Sequence, residues 1–321
     1  MNMGWSRLAL EELKFLRSFN DVKILCRKLT YIMPRLTGTL KRNSESPPSL
    51  QIEPTNYCNL DCICCAASAT SRKKGYMHFG LFRKIIDDAS QIGVKRVHLY
   101  LHGESMLHPR IVDMIKYVKS KFIGLHLTTN GTLFDKGKID AILRSGVNSE
   151  DHIIFSILGY SKGVHEKIMK GVDHDAVLRN IHDFIELRKK GRVNGPVIET
   201  IFYAMPENEH EKNQFVKYWR GKVDHTRSIA TISKQFSGFK KRRNDVRPRR
   251  HTCTNLWERM VVFWNGDVTI CIADIDGNYL LGSLKNQSIR DVWNSKRLLS
   301  IKRMHKEKQF EKISLCSRCD W

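Results

Sequence analysis

Long hydrophobic runs are missing from this 321-residue sequence. No stretch of about 18 consecutive apolar residues occurs, so the sequence predicts no membrane-spanning helix. The N-terminal residues also lack the short apolar core of a secretory signal. Without such a signal, the nine cysteines indicate metal binding in a reducing compartment and not a disulfide framework. We therefore predict a cytoplasmic protein.

Acidic residues are scarce as well. The chain has 33 Asp and Glu against 55 Lys and Arg, which gives a net charge of +22. Such a charge favours an anionic partner, which could be a nucleic acid, an acidic lipid surface or a phosphorylated small molecule. Nucleic acid is not favoured, because the sequence has no RRM, KH or zinc-knuckle pattern and no aromatic-rich basic stripe. The densest basic run, residues 240–251, is either a solvated linker or an anion-binding segment.

Residues 1–49 precede the first predicted strand and show helical spacing of apolar side chains, with a SESPP linker at 44–48. Lysine and arginine flank these apolar positions. Two interpretations remain open: a helical extension packed on the next domain, or a peripheral contact with an anionic membrane surface.

Short apolar strands alternate with amphipathic helices from about residue 50 to 235. One such helix carries Phe82, Ile85, Ile86 and Ala89 at core spacing. This alternation predicts repeated βα units and an α/β fold with a parallel sheet. The predicted strands are 50–54, 96–101, 124–129, 152–158, 197–204 and 227–233.

The segment CNLDCICC, residues 58–65, follows an extended apolar run. Cys58, Cys62 and Cys65 have the spacing CxxxCxxC, which binds three irons of a 4Fe-4S cluster and leaves the fourth iron without a protein ligand. An open metal position is a reactive one. From the spacing alone, a zinc knuckle or a few buried thiols is the alternative.

This motif resembles that of the radical SAM superfamily, whose open iron is chelated by S-adenosylmethionine. The resemblance implies a partial (β/α)6 TIM-like barrel and formation of a 5'-deoxyadenosyl radical. It implies that Gly103 and Glu104 of HGES occupy the place of the family's GGEP, where the glutamate binds the cofactor's amino group. Asn130 of TTNG and Ser156 of FSILG are the implied contacts to the ribose or carboxylate.

Cys64 departs from the family, which usually has a bulky residue near the adenine at this position. Its thiol is a fourth candidate ligand, a packing residue or a redox-active group. Packing is favoured, because small buried cysteines behave as hydrophobic residues.

The tail offers a second metal site made of four cysteines. Four thiolates that include a CxxC pair bind either zinc or a cluster. The surrounding pattern resembles a shortened SPASM or "twitch" domain, which implies one auxiliary 4Fe-4S cluster. The predicted domains are therefore 1–49, a barrel over 50–235, and a basic linker with the tail domain over 236–321. The tail ligands are Cys253, Cys271, Cys316 and Cys319.

The resemblance extends to radical SAM dehydrogenases with one auxiliary cluster. It implies oxidation of an alcohol to a ketone, with an external donor of the flavodoxin or ferredoxin type supplying electrons. The same tail occurs in epimerases, which need a hydrogen donor, and Cys64 or Cys26 is the spare thiol. A peptide- or RNA-modifying enzyme and a non-catalytic iron-sulfur carrier are the remaining alternatives.

Strand alternation predicts a polar barrel interior. If Val97, Leu99 and similar residues face the covering helices, their polar neighbours face inward. A hydroxyl-rich or phosphorylated small substrate would satisfy such groups. The candidates for binding substrate hydroxyls or taking the hydroxyl proton are Glu53, Glu199 and His126.

Overall fold

The computed structural model describes residues 45–230, 252–317 and 319. All of them belong to one compact unit, Glu45–Trp321. The predictions for the helical segment before residue 45 and for the basic run 240–251 lie outside the described residues. No helix in the described part of the chain is long and apolar enough to cross a membrane.

A nine-stranded sheet forms the centre of the fold. The strands of the described residues are β1 Ser49–Ile52, β2 Asp61–Cys62, β3 Arg96–Leu99, β4 Gly124–Thr129, β5 His152–Ser156, β6 Met169–Lys170, β7 Val197–Ala204, β8 His225–Ala230, β9 Arg259–Val262, β10 Asp267–Thr269 and β11 Leu280–Ser283. The order in the sheet is β11-β10-β9-β1-β3-β4-β5-β7-β8. The pairs from β9 through β8 are parallel, while β10 is antiparallel to both β9 and β11. A separate antiparallel pair joins β2 to β6.

Helices cover one face of this sheet. The longer helices bury an apolar stripe, as the first does with Phe82, Ile85, Ile86 and Ala89. Several begin at a side chain that accepts a backbone amide, such as Asp173 from Ala176. The helices are Phe79–Gln91, Ile111–Ser120, Lys136–Leu143, Lys162–Ile168, His174–Lys190, Lys212–Trp219, Asn255–Glu258, Ile289–Trp293, Lys296–Lys306 and Ser314–Ser317.

The six predicted strands are present as β1, β3, β4, β5, β7 and β8, which form the parallel (β/α)6 sheet. Their ends differ from the prediction by a few residues. The predicted first strand included Glu53, which lies just beyond β1. The sheet is also wider than predicted, because β9, β10 and β11 of the tail extend it beside β1.

The apolar row that faces the helices is fully buried, and it includes Val97, Leu99, Leu125 and Leu127. The alternate positions carry Gln51, His98, His126 and His152, which lie side by side on four adjacent strands. The inward-facing positions of these strands are therefore polar, as the alternation of apolar and polar residues along each strand predicted.

Candidate active site

The loop with the first three cysteines leaves the sheet after β1 and is fixed at two places. The short strand β2 pairs Cys62 with Met169. The side chain of Asn56 accepts the amide of Gly75 (2.9 Å) and donates to the carbonyl of Lys73 (2.9 Å). These bonds hold both ends of the loop where the parallel strands end, which is where barrel enzymes place their active sites.

The three predicted ligand thiols lie close enough to interact electrostatically. Burial raises the pKa of Cys62, and the thiols of Cys64, Cys65 and Cys58 raise it further. The amide of Ala67 donates to the sulfur of Cys65 at 3.4 Å. Thiols that destabilise one another's thiolates need a cation to offset the charge, so this donor set fits an iron-sulfur cluster. Among the described residues, no three His, Cys, Asp or Glu side chains are placed to hold a single metal ion.

Gly103 lets the loop after β3 approach the cysteine loop closely. A Cβ at this position would collide with the carbonyl oxygens of Thr55 and Tyr57, the latter at 2.6 Å. The amide of Glu104 donates to the same Tyr57 carbonyl (2.8 Å). Only glycine permits this contact, so the HGES segment is fixed against the loop that carries Cys58.

Glu104 is a buried carboxylate at the centre of the predicted cofactor site. It accepts hydrogen bonds from the Met106 amide (2.9 Å), the Thr129 hydroxyl (2.9 Å) and the Asn130 amide (2.8 Å). Burial raises the pKa of Glu104, and the backbone bonds from Asn130 and Met106 oppose that rise. Glu104 also lies close enough to Cys58 to raise the pKa of that thiol. A carboxylate beside the open-iron site is suited to bind an ammonium group.

Asn130 connects β4 to the cysteine loop. Its side-chain amide donates to Asn59 (3.0 Å), and its oxygen accepts the amide of Thr132 (3.0 Å). Asn59 was not a predicted site residue. No sequence signal marks it except its position directly after Cys58. Ser156, the fourth predicted contact, is the last residue of β5.

Cys64 lies close to the predicted ligands Cys62 and Cys65 and interacts electrostatically with both. Burial, followed by the charge of Cys65, raises the pKa of Cys64 to about 12. Burial, Tyr100 and Cys64 together raise the pKa of Tyr203 to about 12. The structure thus brings Cys64 near the inward-facing phenol of Tyr203, and both of these groups are protonated at neutral pH.

Three imidazoles occupy the interior on neighbouring strands. The ring centroids of His98 and His126 are 4.9 Å apart, and those of His126 and His152 are 4.5 Å apart. Burial, then His152 and the Arg96 and Arg259 guanidiniums, lower the pKa of His126 to about 2. His126 is therefore neutral at physiological pH, and its unprotonated nitrogen can accept a hydrogen bond, whereas protonation of the ring is strongly disfavoured.

Glu199 faces the same interior and is 4% exposed. Its carboxylate pairs with Arg227, and its Oε2 is 4.0 Å from Nδ1 of His152. The predicted residues Glu199 and His126 thus share one interior region, with His152 between them.

Glu53 lies elsewhere, at the junction between β1 and the tail. Its fully buried carboxylate accepts two hydrogen bonds from Arg72, each 2.8 Å long, and one from the Trp264 amide (3.2 Å). Although burial alone would raise the pKa of Glu53, the bonds from Arg72 and His102 lower it to about 2. Its lone pairs are occupied, so the geometry favours a structural role over proton transfer from substrate.

The four tail cysteines are also brought together. Burial raises the pKa of Cys271, and Cys253, Cys319 and Cys316 raise it further. The Ala273 amide donates to the Cys271 sulfur at 3.4 Å. Four mutually close thiols suit a cluster whose irons are all ligated by protein.

A buried connection joins the two cysteine regions. His102, from the HGES segment, donates through Nε2 to the carbonyl of Ile272 (2.8 Å), the residue after Cys271. Arg72, which follows the first cysteine loop, donates to the carbonyl of Ile275 (2.8 Å). The Glu53 carboxylate bridges the same two side chains. One ion-pair network therefore fixes both cysteine regions to the end of β1.

A βα barrel with an open three-cysteine loop at its strand ends and a four-cysteine tail defines an enzyme class that combines two iron-sulfur sites. Sequence profiles identify the class: the profile of the radical SAM superfamily matches residues 52–218, and that of the SPASM iron-sulfur cluster-binding domain matches residues 253–320. The chain belongs to the radical SAM superfamily. It therefore uses S-adenosylmethionine and a 4Fe-4S cluster, with further iron-sulfur ligation in the tail.

Curated relatives differ in what they act on. The chain is 22% identical over 314 residues to the tungsten-containing aldehyde ferredoxin oxidoreductase cofactor-modifying protein of Pyrococcus furiosus, covering 84% of this chain and 87% of that protein. It is 30% identical over 125 residues to the PqqA peptide cyclase of Gluconobacter oxydans, covering 38% and 34% of the two chains.

Solved structures show the same fold. BtrN in complex with AdoMet and 2-DOIA is 18% identical with a TM-score of 0.60, covering 86% of this chain and 93% of that one. Streptococcus suis SuiB bound to precursor peptide SuiA is 16% identical with a TM-score of 0.59, covering 91% and 76%.

Proposed function

We propose that this chain is a radical SAM oxidoreductase that oxidises a secondary alcohol of a small polar substrate to a ketone. The cluster held by Cys58, Cys62 and Cys65 would, with S-adenosylmethionine, supply the radical that removes hydrogen from carbon. Glu104 would bind the cofactor's amino group, with Gly103 allowing the close approach. Asn130 and Ser156 would contact the ribose or carboxylate.

The observation that carries this proposal is the buried network of Glu53, Arg72 and His102 between the two cysteine regions. Alcohol oxidation releases one hydrogen atom, one proton and one electron. The hydrogen atom goes to the adenosyl radical and the proton to a protein base. A cluster ligated by Cys253, Cys271, Cys316 and Cys319 would take the electron, and the network would hold that cluster in a fixed position relative to the first.

The interior supplies the base. Glu199, oriented by Arg227, can accept the hydrogen bond and then the proton of the substrate hydroxyl, while neutral His126, a weak base at a pKa of about 2, can accept a hydrogen bond from a second hydroxyl. The position of Glu53 in the network removes it from this set. An external donor of the flavodoxin or ferredoxin type would return electrons to the enzyme.

The interior also favours a substrate with an anionic group, such as a phosphorylated sugar or cyclitol. Arg96 lies across Gly124, and Arg259 donates to Gln51 (2.7 Å). Among the described residues, no carboxylate pairs with either guanidinium, and the buried Nε of each lacks an acceptor. An anion would neutralise this positive interior. Replacing both arginines with Gln should raise the KM for an anionic substrate by about tenfold to hundredfold for each charged hydrogen bond to the anion that is lost. Cleavage of the cofactor without substrate should be unchanged.

Epimerisation is the second candidate, and Cys64 favours it. A thiol can return hydrogen to a carbon radical only while it is protonated, and the pKa of about 12 keeps Cys64 in that form at neutral pH. The thiol also lies near Tyr203 at the interior face.

Product analysis separates the two reactions. The anaerobically reconstituted enzyme would be incubated with sugar and cyclitol alcohols deuterated at the carbinol carbon, with and without phosphate groups, in ordinary water. The proposal predicts deuterium in 5'-deoxyadenosine and an equal amount of ketone. An epimer that has gained hydrogen at that carbon, in place of ketone, would contradict it and favour Cys64 as hydrogen donor.

A further inference from the structure

His305 is fully buried against the tail cysteines. It lies near the end of the helix Lys296–Lys306, on the face that also buries Leu298, Ile301 and Lys302. Its ring packs against Phe310 with centroids 5.1 Å apart. The alcohol oxidation described above assigns no role to this imidazole.

Two contacts determine which nitrogen of the ring carries the proton. The amide of Cys253 donates to Nδ1 at 3.3 Å. A backbone amide can only donate, so Nδ1 is unprotonated and the neutral ring carries its hydrogen on Nε2. Nε2 lies 3.4 Å from the sulfur of Cys316. The ring N–H therefore points at a predicted cluster ligand.

The helix backbone fixes this arrangement from the other side. The carbonyl oxygen of His305 accepts the hydroxyl of Thr252 at 3.0 Å. Both the ring and the backbone of His305 thus bond to consecutive residues, Thr252 and Cys253, while the ring reaches Cys316. One side chain connects two cysteines that are 63 positions apart in the sequence.

We propose that His305 is a positioning residue that tunes the auxiliary cluster, by donating an N–H···S hydrogen bond to Cys316. Such a bond withdraws charge from the thiolate and stabilises the reduced, more negative cluster. It therefore makes the cluster a better electron acceptor, which is what alcohol oxidation requires. This inference rests on the assignment of Cys316 as a ligand in the proposed function. The Ala273 amide bond to Cys271 acts in the same direction but belongs to the backbone.

The test is a reduction potential measured without substrate. A background variant with Cys58, Cys62 and Cys65 changed to Ala retains only the tail cluster, which is titrated by EPR at controlled potential. In this background, His305→Leu should lower the equilibrium constant for accepting an electron by about tenfold, which is about 59 mV for one electron. His305→Gln places an amide N–H near the former Nε2 and should restore at least half of the loss. His182→Leu, which removes a half-buried ring stacked on Trp219 in the barrel, is the control and should leave the potential unchanged.

Equal potentials in the parent and His305→Leu would overturn the inference, and so would equal shifts in the Leu and Gln variants. If His305→Leu fails to load its cluster, pulsed EPR of the parent labelled with 15N-histidine decides. A histidine nitrogen coupling with an exchangeable proton is expected, and its absence would overturn the inference. If the potentials shift as expected in the His305 variants but the wild-type enzyme forms no ketone, only the proposed function would be contradicted.

Discussion

At the scale of single residues, the charge of Glu53 has the largest structural consequence. Its carboxylate has no exposed surface and is held by Arg72, whose guanidinium also stacks on Phe263 at 3.8 Å. A buried charge is stable only while its partner remains. The junction between barrel and tail is therefore formed jointly by Glu53, Arg72 and His102.

Changing Glu53 to Gln should cost about 3–5 kcal/mol, because it leaves the Arg72 guanidinium buried without its counter-charge. The depressed pKa of about 2 means that the ion pair stabilises the fold fully above about pH 4.5 and that this stability is lost as the pH falls toward about 2. Denaturant unfolding at several pH values should show the largest difference between wild type and variant near neutral pH. A difference that grows on acidification would contradict this assignment.

Gly103 offers a test of the close approach between the HGES segment and the cysteine loop. Gly103→Ala should weaken S-adenosylmethionine binding by at least about tenfold, because the added methyl group meets backbone carbonyls that cannot move aside. Equilibrium binding measures the effect. The matched control is Gly163→Ala, at a helical glycine with nothing within 4 Å, which should leave binding intact and stabilise the helix by about 0.5–1 kcal/mol. Equal cofactor affinities in the two variants would rule out the steric explanation.

Glu199→Gln tests the interior hydrogen-bonding role. Substrate turnover should fall by about tenfold to a hundredfold, while uncoupled cleavage of S-adenosylmethionine continues, because the residue lies away from the cysteine loop and pairs with Arg227. Both rates can be followed by chromatography in one assay. Unchanged turnover would remove Glu199 from the substrate site.

Sequence spacing predicted the cysteines, Gly103 and Glu104 as site residues, because each belongs to a short motif. It did not identify Arg72, Asn59 or His305, because their roles depend on partners far along the chain. Arg72 bonds Ile275, about 200 positions away, and no local pattern records such a contact. Alternation predicted that Glu53 faces inward, but it could not predict the ion pair with Arg72, which comes from the following loop.

At the scale of elements, the tail completes the sheet. Strand β9 pairs in parallel register with β1, and the Glu53 amide donates to the Val262 carbonyl (2.9 Å). Six barrel strands could be predicted because each combines a short apolar run with a following amphipathic helix. The pairing of β9 with this sheet could not be predicted, because its partner strand β1 lies more than 200 residues earlier in the sequence.

This arrangement predicts that the tail polypeptide and its cluster have separate effects. A chain that ends at residue 230 should be poorly soluble, because the hydrogen-bonding edge of β1 becomes exposed. Cys316→Ser with Cys319→Ser keeps β9 in place and should remain soluble, cleave S-adenosylmethionine and lose ketone formation. Solubility and cleavage are measured side by side. Equal solubility of the truncated chain would show that β9 is not needed to cover β1.

At the scale of the whole molecule, two metal regions are held on one sheet within a strongly basic chain of net charge +22. The first lies where the parallel strands end, the second is formed by the cysteines of the tail, and the Glu53 network joins them. Both regions should bind iron-sulfur clusters, and only the first should be needed to cleave the cofactor.

Metal content measured together with cofactor cleavage tests this requirement most directly. The anaerobically purified and reconstituted protein should contain about eight irons per chain and form 5'-deoxyadenosine under reducing conditions. With Cys58, Cys62 and Cys65 changed to Ala, about four irons should remain and cleavage should stop. Continued cleavage in that variant, or one zinc with only about four irons in the wild-type chain, would contradict the account.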